Sequence, residues 1–480
     1  MIEQIITKEC LTFNDLEANL FRRLCGEGCK ILREMLESID QEIKEGRDCR
    51  VYENLGLKAT HIETLMGRVN FKRREYSCYG EDGRKEYKFL LDEELKIFNV
   101  GRISAALIEV MATQLTIESF RNAANAVSIM TGIRLSHGSI WNITQKVGEA
   151  IKKEEDQKIA LLKAGQITGK KEVDVLFEEA DGVYLKLQGK DRKRFGKARE
   201  LKVAVTYEGW EKNGNKGFKL VGKRVCSSFE DSNKFRLLKE SMIASEYNTD
   251  EIKFRIQNGD GASWIHDEND EMIVSQLDPF HVKKALVRNI QDKPTRKIVD
   301  DLLNKKEIDL ALAVIEAFGN SVSDEKQQKK IHDLHTYFNS NKAIIIPYRD
   351  RGIAFPPPPE GLEFRGMGTM EHHICDVIAQ RMKGRKGSWS IHGGSNMAKT
   401  LSAKVSKTLY DIIRKKLTPV IPERYEAIVN GILSASKAPQ RDGKGSDGNI
   451  RHGGMPFRDS FVTPGRKAIQ DMLRINYSLD

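Results

Sequence analysis

The chain has 480 residues, and its 79 Lys and Arg exceed its 69 Asp and Glu, so the formal net charge is +10. Hydrophobic residues make up 39% and charged residues 31%, a balance that allows buried cores and excludes general disorder. No run approaches the ~18 consecutive apolar residues of a membrane helix, and the acidic start does not resemble a signal peptide. We therefore expect neither a membrane protein nor a secreted one, and the length predicts roughly two to four domains.

The positive charge is unevenly distributed. Residues 371–480 hold 19 Lys and Arg against 10 Asp and Glu, which is nearly all of the net excess. A second basic cluster, residues 186–202, has eight basic and two acidic side chains. Such clusters predict a polyanionic partner, most simply nucleic acid, although a solvated basic surface gives the same counts.

Residues 1–100 are predicted to form an N-terminal helix and a basic β-hairpin region. Leucine and isoleucine recur at helical spacing through the first 50 residues. Residues 67–80 then alternate apolar and basic side chains and lead into a glycine-containing turn, which predicts a hairpin. The hairpin is a candidate for phosphate contacts, and a solvated sheet edge is the alternative.

Residues 101–170 are predicted to form three helices. The last two are joined by a short turn containing Gly132, as in a helix-turn-helix. In that interpretation the second helix presents His137, Ser139, Asn142 and Gln145 to a DNA groove. A generic helical bundle fits the same pattern.

Residues 171–291 change to strand-like periodicity. Three consecutive strands, a helix and two further strands predict a ribonuclease-H-like α/β core with a mixed five-stranded sheet. The rest of the chain divides by composition into a helical insertion with a Pro-rich connection (292–360), a second part of the core (361–420) and a basic C-terminal tail region (421–480).

Three carboxylates occupy positions suited to metal binding. Asp181 lies within the first strand of this core, Asp260 ends the fourth between two glycines, and Glu371 opens a helix after a Gly-rich turn. Two divalent cations held by such carboxylates catalyse phosphoryl transfer, and oxygen ligands favour Mg²⁺ or Mn²⁺. An edge-strand position, a turn and a helix N-terminus are the ordinary alternatives, and Glu363 and Asp376 are neighbouring candidates for the third acid.

Two further groups of residues are predicted to contact DNA. Asp278 and His281 precede a basic helix, where a capped helix start with a hydrogen-bonded histidine is the alternative interpretation. Trp389 is either a base-stacking or a buried side chain. The basic members of the two groups are predicted to bind phosphates: Lys283, Arg288, Arg381, Lys383, Arg385 and Lys386.

Four segments carry a resemblance to a known family: EADGVYLKLQG, NGDGASWI, DPFHVKKALVRNI and MEHHICDVIAQRMKGRKGSWSIHGG. They resemble the DDE transposases of bacterial insertion sequences, specifically the ISLre type allied to Mutator-like transposases. The resemblance implies a ribonuclease-H-like core with an all-helical insertion before the catalytic Glu. It also implies that Asp181, Asp260 and Glu371 are the catalytic and metal-binding triad, with His281 near the DNA and Asp278 its partner.

The same resemblance implies metal-dependent cleavage at the ends of an insertion sequence, followed by strand transfer into target DNA. The implied partners are the terminal inverted repeats, the target DNA and further copies of the chain in a homodimer or a higher synaptic assembly. The expected location is the bacterial cytoplasm, at the nucleoid. A ribonuclease-H-like DNA-binding protein, or a nuclease without strand transfer, is the alternative.

Overall fold

The N-terminal region combines a long helix with a small antiparallel sheet. A computed structural model of the chain describes residues 12–97, 101–214, 217–262, 264–265, 272–368, 375–384, 387–418 and 420–435. The elements of this region are α1 (Phe13–Gly46), β1 (Glu53–Thr64), β2 (Gly67–Tyr79), β3 (Lys85–Lys88) and α2 (Leu90–Leu95). The strands pair in the order β1-β2-β3, and α1 packs on them through Ile39 and Ile43. The predicted helix and the β2-β3 hairpin are confirmed, and β1 is an additional strand.

Three helices follow: α3 (Ala105–Ile117), α4 (Phe120–Thr131) and α5 (His137–Lys163). Each begins after a serine whose hydroxyl accepts a hydrogen bond from a first-turn backbone N–H, which is a favourable N-cap. The three predicted helices are therefore confirmed. α5 is 27 residues long and buries Ile140, Ile143, Val147 and Ile151.

The central sheet is mixed and five-stranded, as the sequence predicts. The elements of this region are β4 (Val175–Lys186), α6 (Gly189–Phe195), β5 (Ala198–Tyr207), β6 (Gly209–Lys212), β7 (Phe218–Val221), β8 (Arg224–Ser228), α7 (Ser232–Glu246), β9 (Phe254–Gly259) and β10 (Ile273–Leu277). The order across the sheet is β10-β9-β4-β5-β8. β4, β5 and β8 are antiparallel neighbours, whereas β9 and β10 run parallel to β4.

The second and third predicted strands of this region are both interrupted. The sequence predicts one strand from Ala198 to Trp210, yet β5 ends at Tyr207; likewise β7 and β8 replace a single strand over 215–228. Gly209 and Gly222 have φ angles of 148° and 64°, values that side chains disfavour and that redirect the chain. As a result β6 and β7 leave the central sheet and pair with a later strand, β11 (Leu362–Glu363), in a separate three-stranded sheet.

Helices cover both faces of the central sheet. The elements after β10 are α8 (Pro279–Asn289), α9 (Lys293–Asn304), α10 (Ile308–Ser321), α11 (Glu325–Ser340), α12 (Lys342–Ile345), α13 (Gln380–Met382), α14 (Ile391–Val405), α15 (Leu409–Leu417) and α16 (Glu426–Ala435), with a π-helical turn over Cys375–Ala379. α7 covers one face through Phe235 and Leu238, and α3, α5 and α14 share the core of the other face. α8 to α12 enclose their own apolar core, which confirms the predicted helical character of the insertion.

Residues 1–433 form one compact unit, and 434–480 form a second that lies almost entirely outside the described residues. Most of the predicted tail region therefore falls outside them as well. None of the described helices combines the length and apolar character needed to cross a membrane.

Candidate functional site

The candidate site lies where the parallel strands of the central sheet end. Glu179 of β4 pairs with Asn258 of β9, which pairs with Gln276 of β10. Side chains two residues apart on a strand share a face. Asp181, Asp260 and Asp278 each lie two residues beyond this row and therefore continue it. We call these three residues the carboxylate row.

Strand spacing of about 4.8 Å keeps neighbouring members of the carboxylate row close together. Asp181 remains within β4, paired with Val203 of β5, whereas β9 has already ended at Gly259. The backbone N–H of Asp278 donates to the Gly259 carbonyl at 2.7 Å, which extends the β9-β10 pairing to the start of α8. The strand pairing thus places Asp181, Asp260 and Asp278 at the same end of the parallel strands.

Asp278 and His281 are joined to the row through α8. The Asp278 carboxylate accepts a hydrogen bond from the Phe280 N–H at 2.8 Å and so caps the helix. One turn later, His281 Nε2 lies 3.6 Å from Asp181 Oδ2. The helix cap and the contact with the row are therefore both present, and the histidine faces Asp181 rather than Asp278.

Electrostatics at the row reflect an excess of negative charge. Burial raises the pKa of Asp278 to about 6, and the nearby Glu179 and Asp181 carboxylates add to the increase. The pKa of His281 is also raised, chiefly by its interaction with Asp181. Both shifts favour the protonated forms of Asp278 and His281.

A second polar row lies beneath the first and is almost fully buried. Tyr207 Oη donates to Glu179 Oε1 at 2.6 Å, Asn258 Nδ2 donates to Oε2 at 3.0 Å, and Gln276 donates to Asn258 Oδ1 at 2.8 Å. Glu179 and Asn258 are both 0% exposed. We call Tyr207, Glu179, Asn258 and Gln276 the buried polar row.

The buried polar row also holds the segment that precedes Glu371. The Gly368 N–H donates to Glu179 Oε2 at 3.3 Å. Tyr348 links the same segment to Gln276: its N–H donates to the Gln276 side chain, and its hydroxyl donates to the Arg365 carbonyl at 2.8 Å. A Cβ at Gly368 would lie 3.4 Å from Asp278 Oδ1, so this segment reaches the carboxylate row. Glu371 itself lies outside the described residues.

The alternatives for the third acid differ in position. Glu363 belongs to β11, pairs with Trp210 of β6 and forms an ion pair with Arg365 at 3.0 Å, so it is held in the small sheet. The side chain of Asp376 lies outside the described residues. Glu371, three residues beyond Gly368, remains the predicted third acid.

The oxygen ligands of the row are of the type that Mg²⁺ and Mn²⁺ prefer. Among the described residues, no three His, Cys, Asp or Glu side chains are arranged to hold a metal ion. Within the row, Asp181 and Asp260 are the predicted metal ligands.

The predicted phosphate contacts fall into two classes. Lys283, Arg288 and Lys383 are exposed. Arg381 instead donates from Nε to the Leu115 carbonyl at 2.6 Å, and burial lowers its pKa to about 10. Trp389 is 7% exposed and donates to the Met382 carbonyl at 2.9 Å.

Arg381 is thus half-buried and Trp389 buried, and DNA contact by either side chain stays a prediction. For Trp389 the structure shows the buried alternative. Arg385 and Lys386 lie outside the described residues.

The helix-turn-helix candidate is only partly available for recognition. His137 and Asn142 are exposed and Ser139 is half-buried. Gln145 is buried and accepts a hydrogen bond from Asn396 of α14 at 2.8 Å, so the prediction that it faces a groove is wrong. DNA contact by the first turn of α5 stays a prediction.

Sequence reasoning did not assign a role to Glu179 or to its partners. Alternation along β4 placed Glu179 on the face of Asp181, and this was the only available signal. Its partners lie 28, 79 and 189 residues further along the chain, at Tyr207, Asn258 and Gly368.

Comparison with known proteins gives two consistent matches. Residues 6–415 match the family described as "Uncharacterised protein family (UPF0236)". The chain is also 26% identical over 414 residues to a protein of Streptococcus gallolyticus named "UPF0236 protein in vanSb 3'region", with 83% of this chain and 84% of the relative covered. The chain belongs to the UPF0236 family.

Proposed function

We propose that this protein is a DDE-type DNA transposase that cleaves the ends of an insertion sequence and joins them to target DNA. The observation that carries the proposal is the carboxylate row: Asp181 and Asp260 each lie two residues beyond the paired Glu179 and Asn258 of the neighbouring parallel strands β4 and β9. Carboxylates in such an arrangement suit two-metal phosphoryl transfer. Glu371 completes the proposed triad.

The order of elements supports a ribonuclease-H-like core. Three consecutive antiparallel strands (β4, β5 and β8) are followed by a helix and then by two strands parallel to the first. This is the order on which the sequence-based prediction depends. The helical insertion α9–α12 separates Asp260 from the segment that leads to Glu371, as in the transposase family that the sequence resembles.

Asp181, Asp260 and Glu371 would hold Mg²⁺ or Mn²⁺. Such ions, when bound, activate the attacking oxygen and stabilise the leaving oxygen of a phosphodiester. The residues of the chain orient the reacting groups: Glu179 fixes the segment before Glu371, and His281 lies beside Asp181. A protonated His281 would also attract a phosphate of the bound DNA.

DNA binding is supported by exposed cations, two of them on the helix that Asp278 caps. Lys283 and Arg288 project from α8, whose cap is Asp278, and Lys383 follows α13. In the proposal the terminal repeats and target DNA are the substrates, and two copies or more of the chain bring two ends together. The protein would act in the bacterial cytoplasm, at the nucleoid.

The decisive experiment uses a supercoiled plasmid that carries the coding sequence together with its natural flanking DNA. With Mg²⁺, the full chain should nick or excise at the flanks and produce joined products, and Asp181→Asn, Asp260→Asn and Glu371→Gln should each abolish both. Asp174→Asn, an exposed acid just before β4, is the matched control and should retain activity. Identical products from the wild type and the Asp260→Asn variant would refute the catalytic assignment.

The second candidate is a nuclease that shares the carboxylate row but does not transfer strands. It predicts cleavage of the same plasmid without joined products. A DNA-binding protein without chemistry would retain the plasmid in a mobility shift and leave it uncut.

A further inference from the structure

The short helix α6 carries an unusual concentration of exposed positive charge. It joins β4 to β5, and none of its residues is buried. Six cationic side chains of α6 and its flanks are exposed: Lys186, Lys190, Arg192, Lys193, Arg194 and Lys197. We call these six residues the α6 platform.

The platform is not neutralised by the acids around it. Within the part of the chain that the structure describes, none of the six forms an ion pair, although Lys202 pairs with Glu200 nearby. The single acid of α6, Asp191, is turned away and accepts a hydrogen bond from the Ile391 N–H at 2.7 Å, at the start of α14. Its charge therefore stabilises a helix N-terminus instead of the platform.

The platform is anchored rigidly at its base. The Trp389 N–H donates to the Lys186 carbonyl, and the Gln188 N–H donates to the Trp389 carbonyl, both at 2.9 Å. Because the indole of Trp389 is itself buried, α6 is joined to the core and not to a loose loop. The backbone that carries the cations is thus held in place before any partner binds, which lowers the entropic cost of binding.

Phe195 at the end of α6 is covered by two guanidinium groups. Arg194 and Arg199 lie 5.0 Å and 4.7 Å from the ring centroid, and Arg199 also donates to the Phe229 carbonyl at 3.2 Å. This aromatic ring is therefore occupied by cations, which favours contact with a phosphate backbone over base stacking.

The platform lies on the same strand as Asp181. Five residues of β4 separate Asp181 from Lys186, which corresponds to about 17 Å at the usual rise of ~3.3 Å per residue. Duplex DNA carries one charge per ~1.7 Å of its axis. A duplex that lies along β4 would therefore contact α6 about five to seven base pairs from the reacting phosphate.

We infer that the α6 platform binds the phosphate backbone of duplex DNA about five to seven base pairs from the scissile bond. This inference rests on the proposed function for the position of that bond. The platform binds DNA through charge alone, so it contributes affinity without sequence preference.

The test compares DNA affinity across a series of KCl concentrations. The full chain, the variant R192Q/K193Q/R194Q and the control K326Q/K329Q/K330Q would be titrated into a 30-base-pair fluorescent duplex of the natural flanking DNA. The control removes three exposed lysines of α11 and so changes the net charge equally. The dependence of log affinity on log salt should become less steep by about 2–3 in the α6 variant, since each lost phosphate contact contributes ~0.9, and the control should match the wild type.

A second measurement locates the contact. Phosphate ethylation interference on the same duplex should show a cluster of sensitive phosphates five to seven base pairs from the cleaved bond that disappears in the α6 variant. If the α6 variant binds with the affinity and salt dependence of the wild type while the wild type cleaves DNA, the inference about the platform is wrong and the proposed function is retained. If the α6 variant alone loses salt dependence but the wild type never cleaves, DNA binding by the platform is supported and the proposed function is refuted. Absence of wild-type binding would overturn both.

Discussion

Buried carboxylates on the two faces of the sheet around strand β4 have pKa values shifted in opposite directions. On the α7 face, Glu178 is 3% exposed and lies 2.5 Å from both Lys239 Nζ and Arg255 Nε. Burial alone would raise the pKa of Glu178, but the two cations bring it down to about 2. On the other face, burial and neighbouring acids raise the pKa of Asp278 to about 6.

The two sides differ in how the surrounding residues compensate a buried carboxylate. Glu178 is matched by two cations, so its charge is compensated within the fold. Among the described residues, His281 is the cationic partner of the carboxylate row, at 3.6 Å from Asp181. Perturbed acids that the fold leaves uncompensated are typical of functional sites.

The largest change in the free energy of unfolding is expected when an ion pair of Glu178 is removed. Arg255→Met leaves Glu178 buried with only Lys239 as a cationic partner, so the free energy of unfolding should fall by about 3–5 kcal/mol in urea denaturation. Lys234→Met, which removes an exposed ion pair with Glu230, is the control and should cost less than about 1 kcal/mol. Equal costs for the two variants would contradict the account of this face.

A gain in stability is expected when the charge of Asp278 is removed. Asp278→Asn keeps an acceptor for the helix cap and removes a disfavoured charge, so in EDTA at pH 7.5 it should stabilise the protein by about 2–3 kcal/mol. Because the folded pKa of about 6 lies above the unfolded value of 3.8, wild-type stability falls as the pH rises between these values. The advantage of the variant should therefore be complete above pH 6 and vanish below pH 4. Thermal melts across this range measure it, and a constant difference would count against an uncompensated Asp278.

A smaller effect is expected in the buried polar row. Tyr207→Phe removes the 2.6 Å hydrogen bond to Glu179 and leaves that carboxylate with fewer donors. The expected loss of stability is about 1–3 kcal/mol by urea denaturation. Tyr184→Phe, at a tyrosine that is 62% exposed on the same strand, should be neutral. A neutral Tyr207→Phe would show that the row does not depend on this bond.

Local patterns predicted much of this architecture. Amphipathic spacing predicts α3, α4 and α5, and residue alternation distinguishes the two faces of β4. The acid within β4 and the acid just after β9 could be selected from their flanking glycine and apolar residues. These features depend on neighbours within a few residues.

The remaining features depend on contacts between distant parts of the chain. The addition of Asp278 to the row follows from the register of β10 on β9, and the role of Glu179 follows from Gly368, 189 residues away. Trp389 lies in a basic segment, which made it a candidate DNA contact, yet it is buried and packs against Phe120. Tertiary packing determines these outcomes, and no single segment encodes them.

The central claim is that the uncompensated carboxylate row binds a divalent cation. Mn²⁺ titration of the full chain, followed by electron paramagnetic resonance of the free ion, tests it without requiring DNA. We predict saturable binding that weakens at least tenfold, or ~1.4 kcal/mol, in Asp181→Asn and is unchanged in the Asp174→Asn control. Wild-type Mn²⁺ affinity in Asp181→Asn would contradict the claim.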